Sequence, residues 1–150
     1  MKQSHDNDML KLSQQLCFAL YSTSHSFTRA YKPLLEPLGL TYPQYLVMLV
    51  LWEVDGITVK EIGARLQLDS GTLTPLLKRL DTAGLITRSR DSGDERQVRI
   101  ALTDAGRALR AKAEGIPKRL GEVIGEPLDQ IIALRERLNA IRANMAAAAE

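Results

Sequence analysis

The sequence predicts a mainly α-helical fold that includes one small β-hairpin. Apolar residues recur at spacings of three and four near both ends of the chain, which is the period of an amphipathic helix. Two capping boxes in the middle of the chain open further helices. The hairpin is predicted by alternating polarity in residues 85–90 and 97–102, which flank a turn-rich, charged segment. At 150 residues the chain fits one domain, residues 1–150.

The N-terminal helix is expected over residues 8–29, where one apolar stripe is formed by Met9, Leu12, Leu16 and Leu20. Residues 31–33 have the composition of a linker. A short helix over residues 34–38 should end at Gly39, because glycine readily adopts the left-handed conformation that often follows a helix.

Two capping boxes, at residues 41–44 and 58–61, predict the starts of the next helices. In each, a threonine hydroxyl and the side chain three residues later satisfy opposite backbone donors. These helices should end near residues 54 and 66. A further helix over residues 70–83 follows a short connection and is closed by Gly84. Two helices joined by so short a turn are a candidate helix-turn-helix.

The second helix of this pair begins with small hydroxyl side chains and carries basic residues further along. Both kinds of side chain can reach DNA phosphates or base edges. Its predicted DNA contacts are Ser70, Gly71, Thr72, Thr74, Lys78 and Arg79. From the sequence alone, N-capping and solvation explain the hydroxyl residues equally well.

A hairpin directly after a helix-turn-helix is the wing of a winged-helix module, here expected over residues 41–104. Its predicted DNA contacts are Arg88, Arg90, Asp94 and Arg96. Arg96 lies at the tip, from which an arginine can enter the narrow, negative minor groove. Asp94 can orient the Arg96 guanidinium through a charge-assisted hydrogen bond. An ordinary solvated ion pair is the alternative explanation.

The last third of the chain is again predicted to be helical. Residues 103–104 should cap a helix that continues to Leu120, and a final helix follows over residues 128–145. Together with the first helix, these segments carry more apolar surface than a winged helix alone can cover. We therefore expect dimerisation helices over residues 8–30 and 104–148, with packing inside one chain as the alternative.

Composition argues against several classes of site. Cys17 is the single cysteine, so no internal disulfide or CxxC motif can form, and with two histidines no metal site is expected. The longest apolar run, residues 45–52, is too short for a membrane span, and the polar segment 1–8 does not resemble a signal peptide. We therefore expect a cytoplasmic protein without a cofactor. Residues 60–112 hold 11 basic and 7 acidic residues, which indicates an anionic partner.

The segments RDSGDER (90–96) and LTDAG (102–106) resemble the wing signature of the MarR family of dimeric winged-helix transcription regulators. Within that family, four further blocks resemble the organic hydroperoxide resistance regulators: LCFALY (16–21), YKPLL (31–35), LTYPQY (40–45) and DSGTLTPLL (69–77). The resemblance implies a homodimeric repressor of a gene for peroxide detoxification. It also implies that Cys17 senses the peroxide and that the partner's Tyr31 and the partner's Tyr42 hydrogen-bond to its sulfur. A two-fold dimer would bind a near-palindromic DNA operator.

These roles agree with the chemistry of a thiol. The thiolate is the form that attacks a peroxide oxygen, and phenolic hydroxyls can stabilise it because they stay protonated near neutral pH. Apolar neighbours such as Phe18 would favour an organic hydroperoxide over hydrogen peroxide. The second cysteine that some members of the subgroup carry is absent here. The Cys17 sulfenic acid must therefore react with a small cellular thiol, pair with Cys17 of the partner subunit, form a sulfenamide or oxidise further.

Two other functions remain open at this point. A repressor that is released by a reversible aromatic ligand would use the same fold, with Cys17 as a bystander. A thiol peroxidase would turn over catalytically, but the missing second cysteine and the predicted wing argue against an enzyme.

Overall fold

The computed structural model describes residues 9–150 as helices around a small antiparallel sheet. The polar segment 1–8, including the residue at which the first helix was expected to begin, lies outside the described residues. The chain divides into two compact units, Met1–Ala113 and Glu114–Glu150. Among the described residues, no single helix is long and apolar enough to cross a membrane. The segments Leu16–Leu38 and Tyr42–Glu53 meet that criterion only together, across a bend of 66°.

The described residues contain seven α-helices and three strands. The helices are α1 (Leu16–Leu35), α2 (Tyr42–Glu53), α3 (Val59–Leu66), α4 (Ser70–Thr82), α5 (Asp104–Ala113), α6 (Ile116–Ile124) and α7 (Leu128–Ala148). The strands are β1 (Ile57–Thr58), β2 (Ile86–Arg90) and β3 (Val98–Leu102). Short 3-10 turns occupy Leu12–Gln14 and Glu36–Leu38.

The first helix differs from its prediction at both ends. It begins at Leu16, because Gln15 is extended (φ −93°, ψ 118°) and its side-chain amide donates to the carbonyls of Met9 (2.5 Å) and Lys11 (3.1 Å). The prediction of a linker at residues 31–33 is also wrong. Pro33 lies in the last turn of α1, where its missing N–H removes only one bond near the helix end. Cys17 is consequently the second residue of α1 and lies in its first turn.

Both predicted capping boxes are confirmed. The Thr41 hydroxyl accepts from the Gln44 N–H at 3.4 Å, and the Gln44 side chain accepts from the Thr41 N–H at 3.0 Å. Thr58 and Glu61 repeat the arrangement at 3.2 and 2.8 Å. Gly39 has φ +68°, the left-handed conformation expected past a helix end. These local signals fix where α2 and α3 begin.

The winged-helix prediction is confirmed in the first unit. The sheet has the order β1–β3–β2, and β2 pairs with β3 from Ile86–Leu102 to Arg90–Val98. Strand β1 was not predicted, because two residues are too few to show an alternating pattern. The core beneath the sheet and helices includes the fully buried Leu35, Met48, Leu51, Ile62, Leu73, Leu77, Leu80, Ile86 and Ile100.

The single helix predicted from residue 103 to Leu120 is wrong. The helix is interrupted at residues 114–115, and α6 begins at Ile116. Gly115 has a low helix propensity, which favours the interruption. The final helix is confirmed as α7, and none of its residues is buried. Large apolar side chains are exposed on this unit and on α1: Leu16, Phe18, Leu20, Tyr21, Val123, Leu128, Ile132, Leu134 and Met145.

Close backbone contact at Gly106 joins α5 to the start of the hairpin. A Cβ atom at this position would lie 2.1 Å from the carbonyl oxygen of Leu85. The Gly106 carbonyl in turn accepts from Trp52 Nε1 at 2.9 Å, which ties α2 to α5. Gly106 therefore joins α2, α5 and the start of the hairpin at one point.

We expect Gly106→Ala to lower the free energy of unfolding by about 1–3 kcal/mol, the usual cost of overpacking, because the facing atom is backbone. Urea unfolding at a fixed protein concentration measures this change. Gly121→Ala is the matched control, since nothing lies within 4 Å of its added Cβ and it should stabilise α6 by up to ~1 kcal/mol. Equal unfolding midpoints for the two variants would contradict the close approach.

Candidate functional site

A groove of about 930 Å³ lies between α3, the start of α4 and the hairpin tip. It brings together three of the predicted DNA-contacting residues, Ser70 and Thr74 from α4 and Arg96 from the tip. Gly71, Thr72, Lys78 and Arg79 are exposed on α4 but do not line it, and neither do Arg88 and Arg90. The remaining lining residues are Thr58, Val59, Lys60, Gly63, Ala64, Gln67, Leu68, Asp69, Gln97 and Val98.

The start of α4 is capped by a residue that the sequence analysis did not single out. Asp69 accepts from the Thr72 N–H at 2.7 Å, and this hydrogen bond, together with one from the Thr72 side chain, lowers the pKa of the Asp69 carboxyl. The Thr74 hydroxyl donates to the Ser70 carbonyl at 2.7 Å. Ser70 is therefore not needed as the cap, and its hydroxyl makes no hydrogen bond among the described residues.

The arginines of the hairpin fall into two groups. Arg88 Nε donates to Asp81 Oδ2 at 3.0 Å, and Arg90 Nη1 donates to the Glu95 carbonyl at 2.8 Å. These two guanidinium groups are engaged within the chain. Arg96 is paired only with Asp94 of the same loop, and 90% of its side chain is exposed. Its guanidinium is therefore accessible from solvent although it is paired.

Asp94 orients Arg96 as the sequence suggested. Its carboxylate accepts from Arg96 Nε at 3.0 Å, from Nη2 at 3.2 Å and from the Arg96 N–H at 3.1 Å. These bonds lower the pKa of the Asp94 carboxyl, the side-chain bond from Arg96 being the largest cause. The bidentate pairing restricts the guanidinium to one direction even though it is exposed.

Sequence reasoning missed a second pair, which anchors the wing loop to the body of the domain. Asp91 Oδ1 accepts from Arg99 Nε at 2.8 Å and from Nη2 at 2.6 Å, while Arg99 Nη1 donates to the Gly56 carbonyl. Asp91 Oδ2 accepts from the N–H groups of Gly93 and Asp94 at 3.2 and 3.0 Å. The hydrogen bonds from Arg99 are the largest cause that lowers the pKa of the Asp91 carboxyl. A continuous chain of bonds thus runs from the turn before β1 to Asp94, which holds Arg96.

Two further groove residues, Lys60 and Gln67, were also missed. Lys60 is exposed at the start of α3, and Gln67 ends α3 with φ +57°, an uncommon conformation for a side chain other than glycine. Lys60 could have been predicted from its position two residues after Thr58, which caps α3. Lys60 and Gln67 therefore line the α3 side of the groove with a cation and an amide.

Cys17 is exposed in the first turn of α1, beside the exposed Leu16 and Phe18. The N-cap residue Gln15 makes no side-chain hydrogen bond to this turn. The backbone N–H groups at the helix start are therefore available to favour a negative charge.

Tyr31 and Tyr42 lie together, at the other end of α1 and the start of α2. Their rings stack with centroids 4.6 Å apart, and Tyr45 follows at 5.6 Å from Tyr31. Burial raises the pKa of Tyr31 to about 12 and also raises that of Tyr42. Neither hydroxyl hydrogen-bonds to another group among the described residues. Both phenols are thus protonated donors over the physiological range.

The structure does not bring Cys17 together with these tyrosines inside one chain. Cys17 and Tyr31 belong to the same helix, and the residues between them correspond to about 21 Å of helix axis at 1.5 Å per residue. No group of three or more His, Cys, Asp or Glu residues is positioned to hold a metal ion within residues 9–150.

Comparison with known proteins gives consistent matches. The family described as Transcriptional regulator SarA/Rot matches residues 29–112. The HTH-type transcriptional regulator TtmR of Methylorubrum extorquens is 54% identical over 142 residues, which cover 95% of this chain and 73% of TtmR. The organic hydroperoxide resistance transcriptional regulator of Bacillus subtilis is 53% identical over 127 residues, which cover 83% of this chain and 86% of the relative.

Solved structures of transcriptional regulators are also similar to this chain. Reduced AbfR bound to DNA, from a regulator of Staphylococcus epidermidis, has a TM-score of 0.75 and 39% identity, covering 89% of this chain and 93% of AbfR. Overoxidised AbfR bound to DNA has a TM-score of 0.72 and 37% identity, covering 88% of this chain and 93% of AbfR. MarR from E. coli has a TM-score of 0.67 and 25% identity, covering 85% of this chain and 96% of MarR.

Arg96→Ala should weaken operator binding by about 1–3 kcal/mol, the range for a lost specific contact, while the fold is retained. A gel-shift titration with an operator selected from random duplexes measures the change. Lys112→Ala, which removes an exposed cation of α5 outside the groove, is the control. An affinity that is unchanged relative to this control would remove Arg96 from the interface.

Asp91→Asn should also weaken operator binding, because the neutral amide cannot hold Arg99 as the carboxylate does. If the pair acts by placing Arg96, the effect of Asp91→Asn should largely disappear in an Arg96→Ala background. A double-mutant cycle on operator affinity tests this coupling. Strictly additive effects would show that Asp91 influences binding independently of Arg96.

Proposed function

This chain belongs to the SarA/Rot family of winged-helix, MarR-type transcriptional regulators, and we propose that it is a homodimeric repressor that senses organic hydroperoxides through Cys17. The observation that carries the proposal is an exposed thiol at the start of α1 and two unpaired phenol donors, Tyr31 and Tyr42, that stack where α1 ends and α2 begins. Reduced protein holds the operator and represses a peroxide-detoxification gene. Oxidised protein releases it.

The proposed dimer follows from the uncovered apolar surface. α7 has no buried residue, and Leu16, Phe18 and Leu20 on α1 are between 40 and 62% exposed. Exposed large apolar side chains on a helix face are typical of a protein–protein interface. A two-fold interface in which the two α1 helices pack antiparallel would place the start of one α1 near the end of the other. Cys17 of one chain would then meet the partner's Tyr31 and the partner's Tyr42.

The proposed chemistry begins with the thiolate of Cys17. Free N–H groups in the first turn of α1 and the partner's phenols stabilise the negative charge. The sulfur attacks the terminal oxygen of the hydroperoxide, so that the S–O bond forms as the O–O bond breaks. Sulfur gives two electrons to the peroxide, and the departing alkoxide takes a proton and leaves as an alcohol. The product on the protein is Cys17 sulfenic acid.

The next step is condensation with a small cellular thiol, which forms a mixed disulfide and releases water. A mixed disulfide adds far more bulk to the sulfur than one or two further oxygens would. This choice agrees with AbfR, whose overoxidised form has been solved bound to DNA. We therefore assign operator release to the mixed disulfide rather than to overoxidation.

A path of aromatic contacts connects the tyrosines to the DNA-binding elements. Tyr31 contacts Tyr42 and Tyr45, and the Tyr45 ring lies 6.5 Å from that of Trp52. Trp52 in turn donates to the Gly106 carbonyl at the base of the wing. Loss of the phenol–sulfur hydrogen bonds would therefore shift the base of the wing through these packed rings.

The proposed operator is near-palindromic, because a two-fold dimer presents two α4 helices. Its half-sites are centred about one helical turn apart, roughly 10 base pairs. Basic residues of α3, α4 and the hairpin supply the phosphate contacts, so operator binding should weaken as salt rises.

Cys17→Ser should bind the operator like the parent but no longer release it under organic hydroperoxide with a small thiol present. Serine keeps the size of the side chain and loses the nucleophilicity of sulfur. Fluorescence anisotropy of a labelled operator measures release. If the serine variant were released as readily as the parent, the signal would not be oxidation of Cys17, and a reversible ligand would be the better explanation.

Tyr31→Phe and Tyr42→Phe should each move the pH dependence of Cys17 alkylation to higher pH, because each deletes a donor to the thiolate. A displacement of one pH unit corresponds to ~1.4 kcal/mol of lost preference for the anion. The double variant should be displaced further. Tyr21→Phe, which deletes the hydroxyl one helical turn from Cys17 in the same chain, tests for a donor within the chain. Superimposable profiles for all variants would mean that Tyr31 and Tyr42 serve only in packing.

A further inference from the structure

Two hydroxyl residues of α4 differ in whether their hydroxyl groups are free. Ser70 and Thr74 are the α4 residues that line the groove beside the wing, and both are exposed. Because they are four residues apart on a helix, they lie on the same face. The Ser70 hydroxyl has no hydrogen-bond partner in residues 9–150, whereas the Thr74 hydroxyl donates to the Ser70 carbonyl at 2.7 Å.

The hydrogen bond of Thr74 restricts what this side chain can offer to DNA. It uses the only proton of the hydroxyl, so Thr74 cannot donate to a base or a phosphate while the bond is kept. The oxygen is held against the preceding turn of the helix. Besides this oxygen, the side chain ends only in its γ-methyl group. An apolar contact through that methyl leaves the bond to Ser70 intact.

The place of Thr74 in α4 is suited to a contact with a base. The first turns of the second helix of a helix-turn-helix approach base edges in the major groove, and Thr74 begins the second turn of α4. Thymine is the base that presents a methyl group in this groove. Apolar contact with that methyl distinguishes thymine from the other bases.

We infer that the γ-methyl group of Thr74 contacts a thymine methyl group in each half-site and that Ser70 makes the polar contact of this helix face. The inference rests on the proposed function, in which α4 binds an operator. The hydroxyl of Thr74, which the sequence suggested as a contacting group, instead braces the first turn of α4. Thr74 is thus a residue that determines sequence specificity through shape.

The test removes a methyl group from either partner alone. Deoxyuridine pairs like thymidine and lacks only the C5 methyl, whereas Thr74→Ser keeps the hydroxyl and lacks only the γ-methyl. Anisotropy measures the affinity of the reduced protein for a selected operator in which each symmetric pair of thymines is replaced in turn. At one pair, the replacement should weaken binding roughly fourfold for each half-site, the order expected for one buried methyl group.

Thr74→Ser should weaken binding to the thymine operator by the same factor and should be insensitive to deoxyuridine at that pair. Thr74→Val is the complementary variant, because it keeps a methyl group and lacks the hydroxyl. It should bind like the parent and retain the sensitivity to deoxyuridine. Ser70→Ala should weaken binding to both duplexes equally, because serine carries no methyl group.

Thr82 supplies a matched control on the same helix. Its hydroxyl donates to the Lys78 carbonyl at 3.0 Å, as that of Thr74 does to Ser70, but it lies outside the groove. Thr82→Ser and Thr82→Val should leave the affinity for both duplexes unchanged.

The opposite order of the two Thr74 variants would overturn the inference. If Thr74→Val weakens binding and Thr74→Ser does not, the hydroxyl is the contacting group. If no thymine pair is sensitive in the parent, or if Thr74→Ser keeps every sensitivity, Thr74 does not contact a thymine methyl. Because the protein stays reduced, these results do not depend on peroxide sensing. A parent protein that selects no duplex at all would instead contradict the proposed function.

Discussion

The length of α1 is the constraint on which this account depends. Cys17 lies in the first turn of the helix and Tyr31 near its end, about 21 Å apart along the axis. A rigid helix cannot bring its own two ends together, so a hydrogen bond between these groups requires a second chain. The same helix exposes apolar side chains that need to be covered. Dimerisation and sensing would therefore depend on one surface, and a change at the sulfur would act directly at the interface.

The wing loop between β2 and β3 is anchored to the rest of the domain. The wing loop is held by two carboxylate–guanidinium pairs in series, Arg99 with Asp91 and Arg96 with Asp94. The first pair is anchored to the Gly56 carbonyl, and the second directs an exposed arginine outward. If Arg96 contacts DNA as proposed, an orientation that is already fixed in the free protein reduces the conformational entropy lost on binding. A tilt of the domain body would carry the wing tip with it.

The sequence predicted those parts of the fold that are specified locally. Thr41 and Thr58 cap helices in the expected way, and the alternation of β2 and β3 identified the hairpin. The start of α1 was missed, because Met9 and Leu12 continue its apolar stripe while Gln15 folds back on the preceding carbonyls. At the site, Asp94 with Arg96 was predictable from a spacing of two residues. The Arg99 bond to Gly56 joins residues 43 apart in the chain, and no local pattern encodes such a contact.

The central claim is that oxidation of Cys17 breaks the complex with DNA, and one titration tests it most directly. Operator-bound protein is treated with increasing organic hydroperoxide in the presence of a small thiol, and each sample is divided between anisotropy and intact-mass measurement. The account predicts that the released fraction follows the fraction of Cys17 in mixed disulfide and that a reductant restores both signals. Release while Cys17 is still reduced, or retention of the operator by protein fully converted to the mixed disulfide, would contradict it.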